Sequence, residues 1–170
     1  MTEHRESEAP EIAPEAITGS VAAGLIKALN AELSARYPEE GANHFRLDPE
    51  EVAPGVGVFL VARWRGRPVG CGALRRLSEA LLVQEFGPRV GELKRMYVAP
   101  EARGKGIGRA LLRRLEAEAR GLGLDRLVLE TGTRQPEALA LYRSAGFAEI
   151  PPYGEYVASA ATSVCFSRSL

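Results

Sequence analysis

The sequence has little of what metal centres and disulfide frameworks are built from. Its two cysteines, Cys71 and Cys165, lie far apart, each in an apolar, strand-like setting. Two buried thiols are therefore expected rather than a bridge. The two histidines, His4 and His44, stand apart from the cysteines with no ligand spacing, so no metal site is expected. No apolar run approaches the ~20 residues that a membrane span requires, and the first residues lack the basic-then-apolar pattern of a signal peptide. A cytoplasmic protein with no membrane partner is the expectation. An excess of one charge is also missing. The 22 basic and 22 acidic residues cancel, which argues against nucleic acid as a partner. Internal repeats and low-complexity stretches are absent as well.

What is present suits one domain with a real core: 170 residues, 45% hydrophobic and 26% charged. Residues 1–18 carry five Glu, one Arg and two Pro. They read as an acidic flexible tail with room for one short edge strand. Residues 19–170 read as a single domain. Val21, Leu25, Ile26, Leu29 and Leu33 recur at helical spacing, with Ser20 as the cap and an end near Tyr37-Pro38. Asp48-Pro49-Glu50-Glu51 has the form of a capped helical turn. Gly57 to Trp64 and Val69 to Leu74 are apolar strands joined by a turn, hence a hairpin. Arg75 to Arg89 fits either a short helix or a loop. Further strands are expected at Glu92 to Val98, Leu124 to Thr131, Phe147 to Ile150 and Ser163 to Ser167. Helices are expected over about Ile107 to Arg120 and from Pro136 to Gly146, and a loop from Tyr153 to Ala161. Hairpins first and a strand–helix–strand–helix–strand half afterwards imply an α/β fold: one mixed sheet with helices on both faces.

The chain is organised around Gly91 to Leu122. An apolar strand runs into Arg103-Gly104-Lys105-Gly106-Ile107-Gly108-Arg109, and an amphipathic helix follows. Glycines let a backbone approach a ligand with no Cβ in the way, and a helix start presents unpaired N–H groups to an anion. Between Glu85 and Arg134 there are 11 basic against 7 acidic residues. A phosphate-bearing ligand held by backbone amides is the first inference, with Arg103, Lys105 and Arg109 adding charge. The pattern is not a Walker loop, because no Gly-Lys-Ser or Gly-Lys-Thr follows. Nor does a parallel βαβ unit precede it, as a dinucleotide fingerprint would need.

About thirty residues on comes Gln135-Pro136-Glu137-Ala138-Leu139-Ala140-Leu141-Tyr142-Arg143-Ser144-Ala145-Gly146-Phe147. Together with Arg103-x-x-Gly106-x-Gly108 it resembles the GNAT superfamily of acetyl-CoA-dependent N-acetyltransferases, over about Leu60 to Phe166. Gly70-Cys71-Gly72-Ala73-Leu74, Glu92-Leu93-Lys94, Glu130-Thr131-Gly132, Pro151-Pro152-Tyr153-Gly154 and Ser163-Val164-Cys165-Phe166 resemble a bacterial branch of small members. Some proteins of that branch carry a label naming indole-acetic acid.

The resemblance implies a mostly antiparallel central sheet and acetyl-CoA as cosubstrate. It implies that Arg103, Gly104, Lys105, Gly106, Ile107, Gly108 and Arg109 hold the diphosphate of coenzyme A. Met96, Tyr97 and Val98 would pair with the pantetheine arm through their backbone. Tyr142 would protonate the leaving thiolate, and Gln135 stands where many members have an asparagine touching the arm. Glu92 matches the glutamate that serves as base in the histone-acetylating branch; the other reading is a salt-bridged strand residue. Four residues before Met96, Glu92 should share its face. Glu130 is a second candidate base or a ligand for the acceptor amine. Arg134, Tyr153 and Tyr156 line the acceptor side if their loop folds over, or else form a plain surface loop. Lys94 and Arg95 should alternate across the strand, so that only one faces the site.

The leading expectation is transfer of an acetyl group, by direct attack, to a primary amine of a small or amino-acid-like acceptor. The alternatives are a protein or peptide acceptor (lysine or N-terminus) and an acyl-CoA-sensing module without turnover. A homodimer is compatible with the resemblance.

Overall fold

The computed structural model describes residues 9–40 and 46–170. Within the expected tail, Glu11–Pro14 (β1) pairs antiparallel along Leu60 to Arg63 as an edge strand. The helical spacing that begins at Val21 produces Ser20–Arg36 (α1), whose cap is Gly19 rather than Ser20. Pro49–Val52 forms a 3₁₀ turn with proline at its start, and the Glu51 carboxylate accepts the Asp48 N–H at 3.1 Å. Gly57–Trp64 (β2) and Arg67–Arg76 (β3) make the hairpin. Its two turn residues, Arg65 at φ 51° and Gly66 at φ 78°, adopt the left-handed pair that matches strand twist.

The stretch compatible with helix or loop contains the short helix Ala80–Phe86 (α2). Val90–Val98 (β4) leads through the glycine turn into Ile107–Gly121 (α3), followed by Arg126–Gly132 (β5), Pro136–Ser144 (α4) and Ala148–Ile150 (β6). The expected loop winds into a 3₁₀ segment, Gly154–Ser159, before Ser163–Ser169 (β7). The seven strands lie in the order β1-β2-β3-β4-β5-β7-β6. Every neighbouring pair is antiparallel except β4 and β5.

Strand alternation divides the core between the two faces. Leu93, Leu127, Leu129 and Phe166 point to one face, where Ile107, Leu111, Leu112 and Leu115 of α3 and Tyr142 of α4 cover them. Burial of each such leucine contributes roughly 1.5–3 kcal/mol. Val90, Val128 and Cys165 point to the other face, under Leu82 of α2 with Tyr153 and Tyr156. On that side α1 lays Ala22, Leu25 and Leu29 against Phe59, Val61, Cys71 and Ala73. Both cysteines are buried and unbridged.

One irregularity in β4 shapes everything that follows. Cys71 pairs with Tyr97 but Ala73 pairs with Lys94, so two residues of β4 oppose the single Gly72. Arg95 sits in this bulge at φ 56°. A Cβ on Gly72 would lie 2.6 Å from the Met96 Sδ and 3.0 Å from Leu115 Cδ1, so a larger residue there would have to displace the Met96 side chain. The extra residue shifts the alternation. Glu92 therefore faces Tyr153 while Met96 packs with the α3 side, and the two do not share a face as expected. Lys94 and Arg95, expected to oppose each other, both serve the α1 side: Lys94 Nζ donates to the Arg46 carbonyl and Arg95 to Asn30 Oδ1 of α1.

Candidate active site

The parallel ladder between β4 and β5 is short. It runs from Val90–Arg126 to Leu93–Leu129 and stops just before the bulge. Beyond it β4 stays bonded to β3, and β5 to β7, while the edges that face each other carry no strand between them. A cavity of about 610 Å³ occupies this splay. Its walls include Lys94 to Val98 of β4, Glu130 to Gly132 of β5 and Leu29, Glu32 and Leu33 of α1. An extended chain inserted here would meet backbone donors and acceptors on both sides, as an added strand does.

The glycine turn forms the mouth. Gly104 and Gly106 adopt φ 80° and 79°, and space is open where a Cβ would sit on each. Gly106 caps α3 without any side-chain hydrogen bond, so the first-turn amides stay available to an anion. Arg103, Gly104, Gly106, Ile107, Gly108 and Arg109 border the cavity, whereas Lys105 is exposed and does not line it. Arg103 is already engaged: Nε donates to the Val98 carbonyl at 2.9 Å and Nη2 to Glu32 at 2.6 Å. Arg109 reaches Ser144 Oγ at 3.0 Å and so ties α3 to α4. Gln135 borders the cavity with its carbonyl accepting the Gly132 N–H at 2.9 Å.

Tyr142 comes from α4. Its ring is held edge-on to Phe147 and tilted against Phe166, and the residue borders the cavity. Burial, reinforced by the charge of Glu130, raises its pKa above the usual phenol value, so the hydroxyl keeps its proton at neutral pH. Glu130 reaches the cavity from β5. Burial lifts its carboxyl to about 7; a hydrogen bond from Ser163 works in the opposite direction, and the charges of Glu92 and Glu155 add to the rise.

Glu92 does not line this cavity. It is 1% exposed, with Arg75 Nε on Oε1 at 2.8 Å and the Tyr153 hydroxyl on Oε2 at 2.6 Å. Each carboxylate oxygen thus has a partner within the fold. The salt-bridged reading is the one the structure contains. Tyr153 is likewise turned away from the cavity, donating to Glu92 and stacked edge-on with Phe86 and Tyr156. Of the two loop tyrosines only Tyr156 borders the cavity. Arg134 does not border it either. Its guanidinium donates to the Arg36 carbonyl, pairs with Glu39 and lies 5.0 Å from the centre of the Tyr37 ring.

Several lining residues carried no legible signal. Glu32 on α1 grips Arg103, and Tyr37 closes the floor beneath Gly132 with its hydroxyl accepting the Arg134 N–H at 2.8 Å. Ser159, Thr162 and Ser163 line the wall beside Glu130. Each is common in loops and helices, and only long-range contact distinguishes it.

A mixed sheet that splays at its one parallel pair, with a glycine-rich helix start at the mouth, has the build of an acyltransferase that takes its acyl group from coenzyme A. Comparisons with known proteins agree. The acetyltransferase (GNAT) family profile matches residues 23–147. An IAA acetyltransferase of Azospirillum brasilense is 45% identical over 132 residues, covering 78% of this chain and 80% of that one. An aminoglycoside N(6')-acetyltransferase type 1 of Stenotrophomonas maltophilia is 35% identical across 54% of this chain and 60% of its own. Among solved structures, one from Klebsiella pneumoniae assigned as an acyl-CoA N-acyltransferase superposes with a TM-score of 0.74 at 32% identity, covering 96% and 99% of the two chains. An Elizabethkingia anophelis GNAT acetyltransferase with acetyl-CoA bound shares the fold, with a TM-score of 0.64 at 18% identity over 95% and 98%. The chain belongs to the GNAT acetyltransferase family. It is an acyltransferase with acetyl-CoA as cosubstrate. Among the described residues no helix is long and apolar enough to cross a membrane.

Proposed function

We propose that the protein acetylates a primary amine of a small-molecule acceptor, with Glu130 as the base and Tyr142 as the proton donor. One observation carries this reading. Glu130, with its carboxyl near 7, and Tyr142, with its proton firmly held, border the same cavity from opposite faces of the splay. A carboxylate poised near neutrality can take a proton from an ammonium group and free it to attack. A protonated phenol on the other side can supply the sulfur that leaves. The first-turn amides of α3 and the Arg103 to Arg109 loop would hold the diphosphate. The free edge of Met96, Tyr97 and Val98 would align the arm, and an N–H of Tyr97 or Val98 would polarise the thioester carbonyl. Gln135, bonded to Gly132, would shape the channel rather than grip the arm through its carbonyl. The likeness to the IAA acetyltransferase supports a small molecule over a protein as acceptor.

Free-thiol release from acetyl-CoA across a panel of small amines tests the reading, with lysine peptides and indole-acetic acid in parallel. The expected result is turnover with at least one small amine, abolished in Glu130→Gln while calorimetric acetyl-CoA binding persists. Turnover on peptides alone would overturn the acceptor class, and acetyl-CoA binding with no turnover on any acceptor would favour a sensing module.

A further inference from the structure

Glu32 is the one acidic residue of α1. Three residues after Leu29 and four before Arg36, it shares their side of the helix. From there its Oε1 lies 2.6 Å from Arg103 Nη2 and 3.3 Å from Arg36 Nη2. Arg36 Nη1 in turn lies 2.6 Å from Glu137 in the first turn of α4. Four charges thus run in the order Arg103, Glu32, Arg36, Glu137, from the glycine turn over α1 to α4. Arg103, Glu32 and Glu137 all line the cavity. The four side chains keep 20–45% of their exposure, so each pair by itself adds little to stability.

We propose that Glu32 competes with the diphosphate of acetyl-CoA for Arg103, and so sets how tightly the cosubstrate is held. This rests on the reading that Arg103 helps to hold the diphosphate. On binding, Arg103 exchanges the Glu32 carboxylate for a phosphate oxygen, and Glu32 stays with Arg36. On release of coenzyme A the exchange reverses. Acetyl-CoA and coenzyme A carry the same diphosphate, so Glu32 weakens both alike. A contact that substrate and product share does nothing for the chemical step, and loosening it eases departure of the product.

Three features favour competition over support. Arg103 does not need Glu32 for its orientation, because the Val98 carbonyl already accepts from Nε at 2.9 Å. The exchange abandons no charge, because Arg36 is in place to keep the carboxylate. A carboxylate on the cavity wall also repels a diphosphate arriving at the same mouth. All three act in one direction: removal of the Glu32 charge strengthens cosubstrate binding, whereas loss of a merely supporting contact would weaken it.

Calorimetric titration of the purified protein with acetyl-CoA and with coenzyme A tests this without an acceptor. For Glu32→Gln both Kd values should fall about fivefold, the upper end for a partly exposed ion pair. The variant's affinity should also fall more steeply with added salt, because Arg103 then gains an ion pair on binding instead of exchanging one. Arg36→Gln should act in the opposite sense and raise both Kd values, because it leaves Glu32 to Arg103 alone. Both effects should vanish when Arg103→Gln is added. Unchanged or weaker binding by Glu32→Gln overturns the competition, and so do effects that persist undiminished beside Arg103→Gln, which would mark a general field instead of an exchange. If Arg103→Gln alone leaves acetyl-CoA affinity unchanged, the role of Arg103 at the diphosphate falls, and the competition with it.

Discussion

Replacing Glu92 by glutamine separates a structural role from a chemical one, and its size can be worked out from the contacts. The carboxylate binds Arg75 Nε at 2.8 Å and the Tyr153 hydroxyl at 2.6 Å, and it is 1% exposed. Removing one partner of a buried ion pair costs about 3–5 kcal/mol, because the other charge is left uncompensated. Arg75 is not abandoned here: Glu79 lies at 2.7 Å and Glu51 at 3.4 Å from its Nη1. The amide oxygen can also still accept one of the two hydrogen bonds. The loss should therefore fall to about 2 kcal/mol, which for a domain of this size lowers Tm by roughly 4–8 °C. Calorimetric melting of Glu92→Gln should give this shift, with kcat at 25 °C within about threefold of wild type, because no reacting group is touched. Loss of a general base would instead cost about 10²–10⁴ in rate. An unchanged Tm with a hundredfold fall in kcat would refute the structural reading and return Glu92 to the chemistry.

Other outcomes follow from the same geometry. Glu130 has a folded-state pKa of about 7, above its ordinary 4.5. Its contribution to stability is therefore full below pH 4.5 and lost as the pH rises through 7. Glu130→Gln should accordingly melt several degrees above wild type at pH 8 and close to it at pH 4.5 by scanning fluorimetry; an equal gap at both values would contradict the assignment. Tyr142→Phe keeps the packing against Phe147 and Phe166. It should leave acetyl-CoA affinity within about twofold and lower kcat by roughly 10–100-fold, the scale of a lost proton donor; stopped assays with purified variant decide this. Arg103→Glu places a second carboxylate beside Glu32 and the mouth of the cavity. Its acetyl-CoA Kd in titration calorimetry should rise at least a hundredfold, roughly 3 kcal/mol for a reversed charge at an anion site. A rise of less than threefold would mean that the loop amides act alone.

Much of the architecture was legible because it depends on short-range pattern. The periodic leucines of α1 and α3, the hairpin and the glycine turn all declare themselves within windows of a dozen residues. The glycine-rich helix start by itself pointed only to a phosphate-bearing ligand, and its resemblance, together with the tyrosine helix, to one family supplied the cosubstrate. The roles assigned to β4 went astray at one place. Strict alternation would have put Glu92 with Met96 and parted Lys94 from Arg95, but the bulge opposite Gly72 shifted the phase. Nothing in the residues of β4 announces the bulge; it sits opposite Gly72 of β3, where the Met96 and Leu115 side chains occupy the space a Cβ would take.

The sequence by itself therefore determined the order of the elements, through local periodicity and turn chemistry, and pointed to the enzyme class and the acyl donor through its resemblance to one family. Tertiary structure alone decided which carboxylate meets the cavity. Glu92 and Glu130 are both glutamates on apolar strands, and nothing nearby in the chain distinguishes them. Arg75 and Tyr153 close around Glu92, and the splay uncovers Glu130. The difference lies in partners 17 and 61 residues away from Glu92, brought together only by folding.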